Sequence, residues 1–387
     1  MTKVARRTLF AAAAMLAAPS ISRAGAPVKL GASLSLTGRF SDSAKYIQEG
    51  YLLWAEQVNA AGGLNGSPVE LAIYDDESSP DTGRVLAQRL IDRDGVIAIL
   101  GPYSSPITDA EAVVVERAQA PMLGTIASDS SIWTRRKLRW SFQAFPSSDN
   151  DHQGFLEILK DKGRDLKKVA VVFEEAPFSI ASKEQMIPAL KAAGFEAEAY
   201  GYNPGAQDFR SIIERMLSFG AQAVSMGGYY QPSIALTRQM IERGFNPVAY
   251  NFIQAADGVT KDALGANANG IFGRSAWEAT IDTPASRAFV AAYEARFKRT
   301  PAYHSASAFS AGQTFAAAII AKGPDRAAIR DYIASTPIET VLGTFRVNER
   351  GQQIGYRYVA TQWQGGRSLV VGGASKNPIL WPKPGWI

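Results

Sequence analysis

The chain has 387 residues, 46% of them hydrophobic and 20% charged, enough to bury a sizeable core and too apolar for global disorder. Cysteine is absent, which excludes disulfide scaffolds, thiolate metal sites and cysteine nucleophiles. The net charge of +5 belongs mostly to Lys3, Arg6, Arg7 and Arg23; without them 37 basic side chains stand against 36 acidic ones, so there is no global basic field of the kind that attracts nucleic acid.

In chain order, the first feature is a leader. A basic start (Lys3, Arg6, Arg7) precedes an apolar run from Leu9 to Ala18, and small residues follow. This pattern predicts an export signal over residues 1–26, cleaved after Ala24 or Ala26. The run is short for a bilayer, which needs ~20 residues. Arg6-Arg7-Thr8-Leu9-Phe10 partly resembles a twin-arginine signal. No later run is long enough to span, so a soluble, exported protein is expected.

From Val28 short β-type runs alternate with helical stretches. Strands are predicted at Val28–Leu36, Val69–Tyr74, Val96–Leu100 and Pro121–Thr125. Helices are predicted at Asp42–Ala61, Asp81–Arg93 and Pro106–Ala118. In the first helix Tyr46, Gly50, Leu53, Trp54 and Val58 share one side. Near residue 150 the rhythm restarts, with helices at Asn150–Lys162, Lys183–Ala193, Phe209–Phe219 and Pro232–Arg243. The strands between them are Val169–Phe173, Glu196–Tyr200, Ala223–Met226 and Val248–Phe252. Such βαβα order predicts parallel sheets covered by helices on both faces, here as two lobes. Three helices follow, at Pro284–Phe297, Ser305–Ala321 and Asp325–Ala334, then strands at Thr344–Val347 and Tyr356–Trp363. The tail Trp381–Ile387 reads either as a docked strap or as a frayed end.

Enzyme signatures are missing. There is no Gly-x-Ser-x-Gly elbow, no Gly-x-Gly-x-x-Gly turn and no Gly-Lys dipeptide. With only two histidines, His152 and His304, a multi-histidine metal site is excluded. No catalytic residue, metal or cofactor is expected; a hydrolase using one of these histidines is the rival reading. Asp75-Asp76-Glu77 reads as a solvated loop whose carboxylates cap the next helix, in preference to a cation site.

The informative segments are two strand-to-helix turns, Gly101-Pro102-Tyr103-Ser104-Ser105 and Gly124-Thr125-Ile126-Ala127-Ser128. A helix N-terminus presents unpaired N–H groups and favours an anion, and serine hydroxyls add donors. Either turn alone reads equally well as helix capping. On consecutive parallel strands the two point at one crevice, the usual ligand position in open α/β sheets.

Gly31-Ala32-Ser33-Leu34-Ser35-Leu36-Thr37-Gly38, Asn59-Ala60-Ala61-Gly62-Gly63-Leu64-Asn65-Gly66, Tyr74-Asp75-Asp76 and the Gly101–Ser105 turn together resemble the periplasmic leucine/isoleucine/valine-binding proteins of ABC transporters, the type I periplasmic binding proteins. The likeness runs from about residue 28 to about residue 365. It implies an α/β fold of two Rossmann-like lobes, residues 27–143 plus 277–343 and residues 144–276 plus 344–387. The implied crossovers lie near Phe142–Phe145, Gly273–Trp277 and Gly343–Arg346. It also implies a periplasmic monomer that traps a small carboxylate in the cleft without chemistry and, closed, docks on a membrane permease.

By the same resemblance Ser105 takes the ligand carboxylate, and the turn Ile126, Ala127 and Ser128 completes the polar site. Tyr229 closes from the second lobe, and Phe178 and Trp277 contribute aromatic surface. An edge aromatic falls at Tyr303 or His304. Two positions depart from the family pattern. The acid that pairs with a ligand ammonium falls near Ile253 or Gln254, and the first-loop tyrosine near Ser43. An α-ammonium buried without a carboxylate would cost several kcal/mol. With Phe40, Tyr103, Phe178, Tyr229 and Trp277 as walls, the expected ligand is an aromatic or hydrophobic carboxylate lacking the amine. The alternative is an amino acid whose ammonium meets Asp257 or Glu278. A sensor handing its closed form to a membrane receptor is a further alternative.

Overall fold

The structure is a computed structural model and describes residues 25–387. The predicted export signal lies outside the described residues except for its last two positions. Among the described residues no helix is long and apolar enough to cross a membrane.

The first sheet is built from β1 (Val28–Leu34), β2 (Val69–Asp75), β3 (Ala98–Ile99), β4 (Met122–Gly124) and β5 (Ser141–Gln143). Its order is β2-β1-β3-β4-β5, with every pairing parallel. Helices α1 (Ser41–Ala60), α2 (Pro80–Asp92), α3 (Ser105–Ala118) and the short α4 (Ser131–Arg135) connect the strands. Six of the seven β1 residues are buried, as expected for a strand covered on both faces.

The second sheet repeats this winding. After α5 (Gln153–Lys162) come β6 (Lys168–Glu174), α6 (Pro177–Ala192), β7 (Glu196–Tyr202), α7 (Arg210–Phe219), β8 (Ala223–Gly227), α8 (Tyr230–Arg243), β9 (Ala249–Phe252), α9 (Gly258–Leu264) and β10 (Phe272–Ser275). The chain then supplies α10 (Pro284–Phe297), α11 (Tyr303–Lys322), α12 (Arg326–Ser335) and the hairpin β11 (Ile338–Thr340) and β12 (Gly343–Phe345). Of these, α11 packs on α1. It finishes with β13 (Val359–Gln364) and β14 (Arg367–Val370). The order is β14-β13-β10-β9-β8-β6-β7. The fold is thus α/β with two lobes joined by crossovers.

Several elements differ from expectation. The second sheet is mixed, because β13 runs antiparallel to β10 and β14 antiparallel to β13. Helix α6 starts at Pro177, six positions before the predicted Lys183. Here Ser179, Ser182 and Met186 lie buried on one side of a start that reads as a polar loop. Strands β5 and β10 are too short to show a period. The carboxylates after β2 do not cap α2: Ser79 Oγ accepts from the Thr82 N–H at 3.3 Å. Asp75 instead accepts from Thr37 Oγ1 at 2.7 Å and from the Glu77 N–H at 2.8 Å. Asp76 turns inward to accept from Ser35 Oγ at 2.7 Å and Ser33 Oγ at 3.2 Å. The tail is docked: the Lys383 N–H donates to Val248 O at 2.8 Å and Trp386 Nε1 to Phe245 O at 2.8 Å.

The contact between α1 and α11 relies on two missing side chains. A Cβ on Gly50 would run into the Ser305 carbonyl, and one on Gly312 into the Trp54 indole. The core of the first lobe continues without a break through Phe40, Tyr103 and Phe145 to Phe178 and Tyr229 of the second.

Candidate functional site

In a doubly wound sheet the crevice opens where the strand order reverses, at the carboxyl ends of the strands. The first sheet reverses between β1 and β3, and the second between β6 and β8. The loops leaving those strands carry Arg39 and Phe40, Tyr103 to Ser105, Ala176 to Phe178, and Gly228 and Tyr229. They meet face to face around an interlobe cavity lined by Tyr103, Ser104, Ser105, Ile126, Ser128, Phe145, Phe178, Tyr229, Gln254, Arg274, Tyr303 and His304.

Four helices begin at this lining: α3 at Ser105, α6 one residue before Phe178, α8 just after Tyr229 and α11 at Tyr303. None has a side-chain cap. The first-turn N–H groups and the positive ends of four dipoles therefore surround the cavity, an arrangement that favours an anion. The serines are not spent on capping. Ser105 Oγ accepts from the Asp129 N–H at 3.2 Å, which leaves its own O–H free to donate.

The cavity walls are aromatic. Phe178 meets Tyr229 with ring centroids 4.7 Å apart, and Phe40, outside the lining, packs behind these rings, 4.6 Å from Tyr229 and edge-on to Tyr103 at 5.3 Å. Tyr303 stacks on His304 at 4.1 Å and on Phe145 at 5.8 Å. With the lobes closed, the free volume is about 20 Å³, roughly one water. An aromatic ligand therefore enters only when these rings part. Burial pushes the Tyr103, Tyr229 and Tyr303 phenols above their ordinary range, so they stay neutral and donate.

Arg274 and His304 reach the cavity, each backed by a buried acid. Arg274 leaves β10, pairs with Asp151 and lies 4.0 Å over the Tyr358 ring. Burial opposes its charge, but Asp151 together with the Tyr358 and Tyr303 phenols outweighs that and holds the guanidinium protonated. His304 Nδ1 lies 2.8 Å from Asp257 Oδ2. No acidic residue is among the cavity-lining side chains. Asp257 is occupied by His304. Glu278 is buried outside the lining, where burial raises its pKa far above the usual carboxylate range.

Of the residues expected from sequence, Ser105, Ser128, Tyr229, Tyr103, Ile126 and Phe178 come together in the lining, and Phe40, Ala127 and Trp277 do not. Ala127 is fully buried beside it, its carbonyl accepting from Gln143 Nε2 at 3.2 Å. Trp277 turns into the first lobe, where Nε1 donates to Ser286 Oγ at 2.9 Å and the ring meets Phe289 edge-on. Of Ile253 and Gln254, near which the family's acid is expected, Gln254 lines the cavity, and its Nε2 donates to Tyr103 Oη at 2.8 Å across the lobes. Arg274 and Phe145 went unread in the sequence; an arginine on a short strand beside a crossover carries no local signal. His152 is buried at the start of α5, outside the lining. Among the described residues no group of three or more potential metal-ligating side chains gathers.

Residues 27–367 match the family model described as periplasmic binding protein. The Leu/Ile/Val-binding protein homolog 7 of Brucella abortus (strain 2308) is 29% identical over 379 residues, covering 90% of this chain and 92% of that one. Among solved structures, the leucine binding protein LivK of Thermotoga maritima MSB8 superposes with a TM-score of 0.80 at 22% identity. That match covers 89% of this chain and 98% of the other. A solute binding protein of an ABC transporter from R. palustris, in complex with benzoate, gives 0.80 at 19% identity, over 89% and 96% of the two chains. The twice-wound lobes, the cleft at their facing switch points and the match over most of the length lead to one conclusion: the chain belongs to the periplasmic binding protein family.

Proposed function

We propose that this protein captures an aromatic carboxylate lacking an α-amine and presents it to a membrane permease. The observation that carries this reading is the charge of the cavity lining. It holds Arg274, His304 and three serines but no carboxylate. An α-ammonium there would face a guanidinium and four positive helix ends, with no acid free to compensate it. A carboxylate meets donors from both lobes. Ser105, Ser128 and the first-turn N–H groups of α3 hold it from the first lobe, and Tyr229 closes from the second. Phe145, Phe178 and Tyr303 bury the ring at ~25 cal/mol per Å² of apolar surface. Contacts to both lobes give the ligand its differential affinity for the closed state.

Two of the similar proteins frame the choice, since one is described as leucine-binding and the other was solved with benzoate. A thermal-shift screen over branched-chain amino acids, 2-keto acids and aryl carboxylates tests the reading, because a ligand that binds only the folded state raises the melting temperature as its excess grows. A shift with aryl carboxylates and none with leucine is expected; a shift with leucine alone refutes it.

A further inference from the structure

We propose that the preferred ligand carries a hydrogen-bond donor on its ring, a hydroxyl or amino group, and that Gln254 and His304 receive that donor. This rests on the aromatic-carboxylate reading above. Both side chains flank Tyr103: the Gln254 carboxamide bonds to its hydroxyl at 2.8 Å, and the His304 ring meets its ring edge-on at 5.3 Å. Both line the interlobe cavity. Gln254 is 6% exposed and His304 not at all.

Gln254 spends its Nε2 on Tyr103, and its Oε1 has no partner. His304 Nδ1 faces both oxygens of Asp257, at 3.0 Å and 2.8 Å. A carboxylate only accepts, so Nδ1 carries the ring hydrogen, and in that tautomer Nε2 is the acceptor. Nε2 also has no partner. Buried acceptors left unpaired are rare and costly. Two of them on either side of one tyrosine, in a cavity otherwise rich in donors, require a donor from what the cavity binds. An unsubstituted aryl carboxylate brings acceptors alone and leaves both unpaired. A ring O–H or N–H satisfies them, and a site built this way rejects the analogue lacking the group.

Calorimetry on the mature protein with benzoate, 3- and 4-hydroxybenzoate, 4-methoxybenzoate and leucine tests this. At least one hydroxybenzoate should bind about tenfold or more tightly than benzoate. The 4-methoxy compound, which keeps the oxygen but not the hydrogen, should show no such gain. In Gln254→Leu and His304→Gln the hydroxybenzoate-to-benzoate affinity ratio should fall toward one. The wild-type ratio needs no variant to fold. Equal affinity for benzoate and every hydroxybenzoate overturns this inference and leaves the aromatic-carboxylate reading standing. Binding of leucine with no binding of any benzoate overturns both.

Discussion

Arg39 Nη2 and Glu174 Oε1 lie 2.7 Å apart, one from the loop after β1 in the first lobe and the other from the end of β6 in the second. Glu174 is fully buried, while the Arg39 side chain is 30% exposed. The same guanidinium lies 4.6 Å over the Phe40 ring and 4.8 Å over the Tyr229 ring. The pair therefore ties the lobes together at the aromatic wall of the cleft. Arg39→Ala removes the tie and leaves a buried carboxylate uncompensated. It should shift the population toward the open form, enlarge the radius of gyration in small-angle scattering and weaken ligand binding about tenfold. An unchanged scattering curve and affinity would show that the pair does not hold the closed state.

Ser105 accepts from a backbone N–H and keeps its own hydrogen for the ligand. Ser105→Ala should weaken carboxylate binding by about 1.5–3 kcal/mol, the range for a hydrogen bond to a charged partner. Titration calorimetry reads the effect directly, and an unaltered dissociation constant removes Ser105 from the site.

The first lobe buries two carboxyls around one hydroxyl, since Ser33 Oγ bonds to both Asp76 and Glu111. Burial raises Asp76 to about 6 and Glu111 well above its ordinary value. A carboxyl whose folded pKa is raised binds its proton more tightly in the native state. Its stabilisation is complete below the unfolded pKa and is lost as pH rises through the folded one. The melting temperature should therefore fall by several degrees between pH 5 and pH 8. Glu111→Gln, which fixes the neutral shape, should flatten that slope; a slope equal to wild type would remove this pair as its source.

The close approach of α1 and α11 gives a packing prediction. Gly312→Ala pushes a methyl into the Trp54 indole, and overpacking of this kind costs about 1–3 kcal/mol. Denaturant unfolding should show a lower midpoint with an unchanged slope. No loss of stability would mean that the two helices separate freely.

The doubly wound rhythm was legible because strands buried on both faces read as short apolar runs between amphipathic helices. The serine turns were legible for a related reason: Ser105 and Ser128 each follow a parallel strand, and a switch point sends such loops to one crevice. Trp277 shows the limit. Its position beside a crossover matched the family pattern, but its indole direction is decided by Ser286 and Phe289 on the next helix. Arg274 was invisible for the converse reason, since only the fold brings Asp151 and Tyr358 around it. The pairing of His304 with Asp257 likewise joins segments distant in sequence. Strand β13 falls on the predicted Tyr356–Trp363 run and β14 on no predicted element; their antiparallel register depends on β10, which has too few residues to announce itself.

The central claim is that the cleft holds a carboxylate and offers no acid to an ammonium. Side-by-side titration of the mature protein with phenylalanine and with 3-phenylpropionate, the same skeleton without the amine, tests it most directly. Saturable binding of the amine-free acid, with at least tenfold weaker binding of phenylalanine, is the predicted result; tighter binding of phenylalanine would contradict it.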